Sequence, residues 1–361
     1  MDLKTPLYRC HEASSGKIVS FAGYLLPIQY KTGLMAEHLA VRNEVGIFDV
    51  SHMGEILVEG SDSLAYIQEL VTNDCSNMSD GQVKYTMMCN EEGGCIDDLL
   101  IYRFASDKYL FVVNASNRNK DYKHMVSKQF GNVKITDISN DIALIALQGP
   151  NSLKVLSKLM DEEMIPTKYY TFAGDVQVAG CEAMVSMTGY TGELGFEIYC
   201  KPNDAEAIWN NLLDKGKEYG LIPCGLGSRD TLRLEAGMPL YGNELKEDIT
   251  PFEADLSFVV KMNKENFIGK KALLDKGEPS KVRVGIKITG RGIAREDSKI
   301  FYNDNEIGTI TSGTHLPYLD YAGAMAYVDK EYAKPGTKVL VQVRKRLIEG
   351  EIVDLPFYKR K

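Results

Sequence analysis

The spacing of apolar side chains predicts the first elements directly. Residues 33–43 carry them at three- and four-residue intervals, the signature of a helix, whereas 55–59 alternate and predict a strand. Ser61 is a candidate cap for a helix running to about residue 71. Residues 84–89 then read as a strand, Glu91-Glu92-Gly93-Gly94 as a turn, and 98–104 and 109–113 as two further strands. A polar helix is predicted over 117–129.

A second β-rich stretch covers 133–199, interrupted by a helix near 152–159, and a helix over 204–219 carries Trp209, the only tryptophan. Residues 224–235 read as a glycine-containing loop that enters a short helix. Residues 269–274 have a helical pattern, and 275–281 have linker composition, which places a boundary there. Beyond it, short β-rich runs at 282–287, 299–302, 306–312, 338–343 and 349–353 are punctuated by Gly and Asn, predicting a small all-β domain. No repeat of fixed period is visible.

Length and composition narrow the class without naming a chemistry. A chain of 361 residues suits two to three domains, and 44% hydrophobic with 25% charged residues is the balance of an ordered globular protein. The longest apolar runs, such as 142–147, are too short to span a bilayer. The formal charge, 42 minus 50 or -8, and the lack of any long Lys/Arg block argue against nucleic acid or an anionic membrane as partner. Seven cysteines without a CxxC pair, behind an N-terminus lacking a signal-like apolar core, read as reduced thiols of a cytoplasmic protein. The five histidines show no metal-ligand spacing, so no metal is expected, and His52 reads as a core or hydrogen-bonding side chain.

Three segments carry candidate chemistry. In the first, Asp97 and Asp98 open a strand after a glycine turn, and alternation puts them on opposite faces. Asp98, Leu100 and Tyr102 then share one face, as Leu110, Val112 and Asn114 share one face of the next strand. If those faces coincide, a carboxylate, a phenol and an amide line an apolar wall suited to a planar, heteroatom-rich ligand; a turn-capping Asp beside a solvated one is the alternative.

In the second segment, running from Thr188 to Glu197, Gly189, Gly192 and Gly195 bring backbone close to something, but the spacing is not that of a dinucleotide or phosphate loop. Glu197, between Phe196 and Ile198, needs a partner if it points inward and none if it points to solvent. In the third, Gly225-Leu226-Gly227-Ser228-Arg229-Asp230 resembles half a dinucleotide fingerprint and lacks its last glycine. Arg229 and Arg233 lie one helical turn apart, where a guanidinium fork grips a carboxylate or ring carbonyl or simply forms a surface ion pair.

Together these segments resemble the T-protein family, the aminomethyltransferases of the glycine cleavage system, over essentially the whole chain. The likeness is carried by Thr5-Pro6-Leu7-Tyr8, Phe48-Asp49-Val50-Ser51-His52-Met53, Gly93-Gly94-Cys95-Ile96-Asp97-Asp98, Leu147-Gln148-Gly149-Pro150, Thr188-Gly189-Tyr190-Thr191-Gly192-Glu193, Arg229-Asp230-Thr231-Leu232-Arg233 and Thr311-Ser312-Gly313-Thr314. The resemblance implies an α+β fold of three domains around a central folate channel. They are residues 1–54 with 135–245, residues 55–134 with 246–279, and a C-terminal β barrel or jelly roll over 280–361.

It further implies transfer of a methylene carbon from the aminomethyl-lipoyl arm of H-protein to tetrahydrofolate, giving ammonia and 5,10-methylenetetrahydrofolate. Asp98 matches the family's key carboxylate, near folate N10. Glu197 and Arg229 match residues that hold the pterin, and Met53, Tyr85, Tyr102, Val112, Asn114, Tyr170 and Tyr190 match positions lining the channel.

H-protein docking would be transient, steered by the basic tail with Lys270 and Lys271. Tyr24 stands where the family often has Trp, and a C-terminal tyrosine of some members has no clear counterpart. A folate-dependent demethylase of the same fold is the competing reading. A folate-binding iron–sulfur maturation protein is not, because Gly237-Met238-Pro239-Leu240-Tyr241-Gly242 lacks that group's cysteine.

Overall fold

A computed structural model describes residues 2–360; Met1 and Lys361, the outermost residues of the first and third expected domains, lie outside the described residues. Two compact units result. The first runs to Gln68 and adds Cys75–Tyr85 and Leu99–Arg229; the second comprises Glu69–Asp74, Thr86–Asp98 and the chain from Asp230 onward.

The first unit centres on a six-stranded sheet in the order Phe172–Val178, Cys181–Ser186, Gly195–Cys200, Ala143–Gln148, Gly46–Asp49, Ile222–Pro223. Its central strand, Ala143–Gln148, is buried throughout, which is why the sequence there is an unbroken apolar run rather than an alternating one. On one face Ile145, Leu147, Phe196, Ile198 and Val185 pack with Ile208, Trp209 and Leu212 of the helix Ala205–Gly216. The opposite face holds Phe48, Ala146, Ser186 and Glu197 in one row, from the pairings of Ala146 with Phe48 and Glu197 and of Glu197 with Ser186.

A five-stranded sheet follows the order Val83–Cys89, Cys95–Ala105, Lys108–Val113, Gly54–Glu59, Lys134–Asp137. The strands expected at 55–59, 84–89 and 109–113 fall within one residue of those observed, and the one expected at 98–104 begins three residues earlier, at Cys95.

Residues 224–235 differ from expectation. The helix starts at Leu226, inside the glycine segment read as a loop, and continues to Glu235. A Cβ on Gly225 would lie 2.6 Å from the Ile28 carbonyl, so glycine here lets the helix start press against the strand Tyr24–Gln29. Glu37, fully buried on the helix Leu34–Asn43, satisfies that helix start. Its carboxylate accepts from Gly225 N at 2.9 Å, Ser228 Oγ at 3.1 Å and Tyr30 N at 2.6 Å. The position of Arg229, one residue on, depends on this carboxylate.

In the second unit six strands close into a barrel, Lys281–Ile288, Tyr321–Asp329, Asn305–Leu316, Lys299–Tyr302, Lys338–Val343, Arg346–Val353, which leaves no open sheet edge. Ile286, Ile300, Ile310, Val328, Val341 and Ile352 fill its interior. The strand Tyr321–Asp329 was not expected, because its run of Ala and Gly has low strand propensity. Those small side chains are what the barrel needs: Ala324 and Ala326 are fully buried, and a Cβ on Gly323 would lie 2.5 Å from Leu316.

Also in this unit, the buried Arg233 is held by Glu244 at 2.9 Å and by Ser312 Oγ at 2.8 Å, so it is a structural cation and not a partner of Arg229 in a fork. All seven cysteines are free thiols.

Replacing Glu37 with Ala strands two backbone donors, Gly225 N and Tyr30 N, while Ser228 Oγ keeps the Gly225 carbonyl at 2.9 Å. We expect a stability loss of about 3 kcal/mol in urea denaturation, only part of it recovered by Glu37→Gln, whose amide nitrogen must face one backbone N–H; an unchanged midpoint in Glu37→Ala would remove Glu37 from this role.

Candidate active site

Strand register decides which side chains of the five-stranded sheet share a face. Leu100 lies opposite Val112, and Tyr102 opposite Leu110, so the two faces, whose coincidence the sequence leaves open, do coincide. The next strand extends both rows, Glu55 opposite Val112 and Leu57 opposite Leu110. One row is therefore Tyr102, Leu110, Leu57 and the next Leu100, Val112, Glu55.

This face meets the inner face of the six-stranded sheet through hydroxyls. Tyr102 Oη lies 2.7 Å from Tyr199 Oη, 3.2 Å from Ser186 Oγ and 3.4 Å from Thr188 Oγ1, and Ser186 and Thr188 are 2.6 Å apart. Thr188 donates its one proton to the Glu197 carboxylate, so Ser186 must donate to Thr188. The row ends on an acid. Burial pushes the Glu197 carboxyl above its ordinary value, opposed by the Thr188 hydrogen bond and by the Arg229 charge.

The glycines of 188–197 now have a physical reason. A Cβ on Gly189 or Gly195 would lie 2.1 Å and 2.3 Å from the side-chain amide of Gln148, so both admit that amide. Gln148 donates to the Thr188 carbonyl at 3.1 Å and accepts from Thr191 Oγ1 at 2.8 Å. Arg42 closes the loop, donating to the Thr191 carbonyl at 2.7 Å and pairing with Glu193 at 3.1 Å, both side chains buried. The loop is built to set the Thr188 hydroxyl and the Glu197 strand.

Arg229 approaches from the helix start. Its guanidinium carbon sits 5.0 Å from the centre of the Tyr190 ring, a cation–π contact, and burial lowers its pKa while Tyr190 and Glu197 raise it. His52 is buried edge-on to Phe21 and Tyr24, at 5.6 Å and 6.4 Å between ring centres. Burial and then the Arg229 charge push it down to about 4, so it is neutral at pH 7 and packs as a core side chain. Among the described residues, no group of three or more His, Cys, Asp and Glu side chains is placed to hold a metal, and no helix is long and apolar enough to cross a membrane.

A family model described as the GCVT N-terminal domain matches residues 7–264, and the glycine cleavage T-protein C-terminal barrel domain matches residues 281–359. The chain belongs to the glycine cleavage T-protein family. It is 47% identical to the aminomethyltransferase of Geobacillus sp. (strain WCH70) over 99% of both chains. It is 48% identical to that of Caldanaerobacter subterraneus, over 99% of this chain and 96% of the relative. The crystal structure of glycine cleavage system aminomethyltransferase T from Bartonella henselae matches with a TM-score of 0.92 at 33% identity, covering 99% of each chain.

Of the positions singled out by the T-protein resemblance, Tyr102, Val112, Tyr190, Glu197 and Arg229 belong to the first unit, with the contacts given above. Met53 and Asn114 sit just beyond the ends of the strands Gly54–Glu59 and Lys108–Val113, at the same parity as Glu55 and Val112. Tyr85 is half-buried on the strand Val83–Cys89. Tyr170 is 44% exposed and holds a φ of 59°, a left-handed conformation that costs a bulky residue about 1–2 kcal/mol.

Asp98 belongs to the second unit, on a strand whose alternation gives it the face of Leu100 and Tyr102. There Gly94 packs so tightly on the Glu247 carbonyl that a Cβ would sit 1.7 Å from it, and Cys95 N donates to the Ile249 carbonyl at 2.9 Å, fixing where that strand begins. Lys270 Nζ donates to the Glu265 carbonyl at 3.1 Å.

Glu55 was missed. Alternation predicts a strand at 55–59 without saying which face is wet. Glu55 is 1% exposed, and among the described residues neither carboxyl oxygen has a hydrogen-bond partner. The available signal was Leu57, an apolar residue on the same strand face as Glu55.

Burial drives the Glu55 carboxyl well above its ordinary 4.5, with Arg118 opposing and Asp137 and Glu197 adding to the rise. The folded pKa thus lies above the unfolded one. The stability this group contributes is full below 4.5 and is lost as pH rises through the folded value. Glu55→Gln should therefore gain stability relative to the parent as pH is raised from 5 to 8, by at most about 1.4 kcal/mol per pH unit. Parallel pH profiles in urea denaturation would contradict this.

Proposed function

We infer that this chain is the aminomethyltransferase of the glycine cleavage system, moving the methylene carbon of an aminomethyl-lipoyl group to tetrahydrofolate with release of ammonia and of the dihydrolipoyl thiol. The observation that carries the reading is full-length similarity to aminomethyltransferases combined with a buried acid, hydroxyl and guanidinium cluster at Glu197, Thr188 and Arg229. The partner that brings the carbon is lipoylated H-protein, and the working compartment is the cytoplasm.

The residues fit a pterin chemically. Its amide-like edge offers donors and an acceptor, which a carboxyl such as Glu197 and a guanidinium such as Arg229 complement, while Tyr190 and Tyr170 supply aromatic faces and Met53 a polarisable one. Tyr85, Tyr102, Val112 and Asn114 complete the proposed lining. Asp98 is the proposed catalytic carboxylate, orienting the attacking folate nitrogen and stabilising the positive charge that develops as ammonia leaves. Three domains, with the first interrupted in sequence by the second and the third beginning near Ser280, are the organisation we propose.

Asp98→Asn should keep tetrahydrofolate affinity within a few-fold and lose about 10²–10³-fold in turnover, read as ammonia and methylenetetrahydrofolate formed from aminomethylated H-protein. Near-normal turnover would take the catalytic role from Asp98. Folate binding by the parent chain with no transfer from H-protein, but with demethylation of another donor, would move the activity to a folate-dependent demethylase.

A further inference from the structure

The Glu55 carboxyl is a buried acid of the inter-sheet layer that the proposed pterin contacts do not use. Its row and the Tyr102 row lie on one face of the five-stranded sheet, and the Tyr102 hydroxyl bonds to Tyr199 and Ser186 of the facing sheet. Glu55 therefore looks toward the layer that carries Glu197. The charges and titratable groups that act on it are Arg118 and Asp137 from its own side and Glu197 from the facing sheet, and Glu55 in turn acts on Tyr199. Arg118 is committed elsewhere, donating from Nε to Asp137 at 2.8 Å.

We propose that Glu55 is a second ligand-contacting acid of this site, taking its hydrogen bonds from the heteroatom edge of the bound pterin. The inference rests on the folate reading given above and deepens it.

A buried carboxyl with no partner is a cost that folding alone does not explain. Replacing it by an apolar side chain of similar size is neutral or stabilising unless the group is used by something else. Protonated, it presents one donor and one acceptor side by side, the complement of an amide edge. It can do so beside Glu197 without placing two negative charges together in a low-dielectric layer, which a pair of carboxylates could not.

The test compares the full chain with Glu55→Met and Glu55→Gln, measuring 5-formyltetrahydrofolate affinity by calorimetry and melting temperature. Glu55→Met should melt no lower than the parent yet bind at least about ten-fold more weakly. Glu55→Gln, which keeps a donor and an acceptor, should recover most of that loss. Parent-like affinity in Glu55→Met overturns the proposal, as does a fall in melting temperature without a fall in affinity, the pattern of a carboxyl satisfied by protein or ordered water.

Should Glu55→Met not fold, infrared difference spectra of the parent decide. The protonated carboxyl band, assigned by its absence in Glu55→Gln, should move when the folate is added, and a stationary band overturns the proposal. A parent chain that binds no folate would instead remove the functional reading itself.

Discussion

The first unit depends on the hydroxyl chain that ties its two sheets together. Tyr102, Tyr199, Ser186 and Thr188 pass hydrogen bonds from one sheet to the other and end on Glu197. A carboxylate buried without such donors costs several kcal/mol, so Thr188 must be held in place, and much of the surrounding sequence serves that need. Gln148 fits between glycines to fix the loop at Thr188 and Thr191, and Arg42 with Glu193 pins its far end. Substitutions in this loop act on the acid without touching it.

Burial alone does not set the charge of an acid here. Asp49 and Glu55 are both buried, and burial pushes both upward. For Asp49 that effect is outweighed: His11 Nε2 lies 2.8 Å away, Thr5 donates at 2.6 Å and Ser51 N at 2.9 Å, so its pKa falls below the ordinary range. Tyr30 in turn holds His11 from the other ring nitrogen at 2.8 Å. Glu55, among the described residues, has no donor on either oxygen and its pKa rises. Hydrogen-bond supply separates a structural anion from a stored proton.

Strand alternation made much of this legible in the chain. It assigned Asp97 and Asp98 to opposite faces and gave the Asp98, Leu100, Tyr102 row and the Leu110, Val112, Asn114 row, leaving the register to join them. It misread the chain where a third dimension decides. Glu55 lies on a strand whose two faces are both covered, so alternation could not say which face is wet. The barrel strand with Ala324 and Ala326 is strand because its interior is crowded, a property of closure and not of those residues' own propensities. The glycines at 225 and 227 signalled close approach correctly, but what they approach is the backbone of Ile28, and a helix start tolerates that as readily as a loop does.

The same burial has a chemical consequence for the proposed reaction. Loss of ammonia leaves an electrophilic, sulfur-stabilised methylene carbon that would be captured by any thiolate, phenolate or free imidazole before the folate nitrogen reached it. Burial raises the Tyr102 and Tyr199 phenols, and the Cys200 thiol, pushed up to about 12, lies on the opposite, helix-covered face of its sheet. The Tyr102 hydroxyl spends its bonding on Tyr199, Ser186 and Thr188, and His52 is enclosed between aromatic rings. What this wall offers an incoming ligand is acids, an arginine and aromatic faces, groups that position and polarise but do not readily form carbon bonds. A site with this composition leaves the folate nitrogen as the competent nucleophile, so selectivity comes from what the protein keeps protonated as much as from what it aligns.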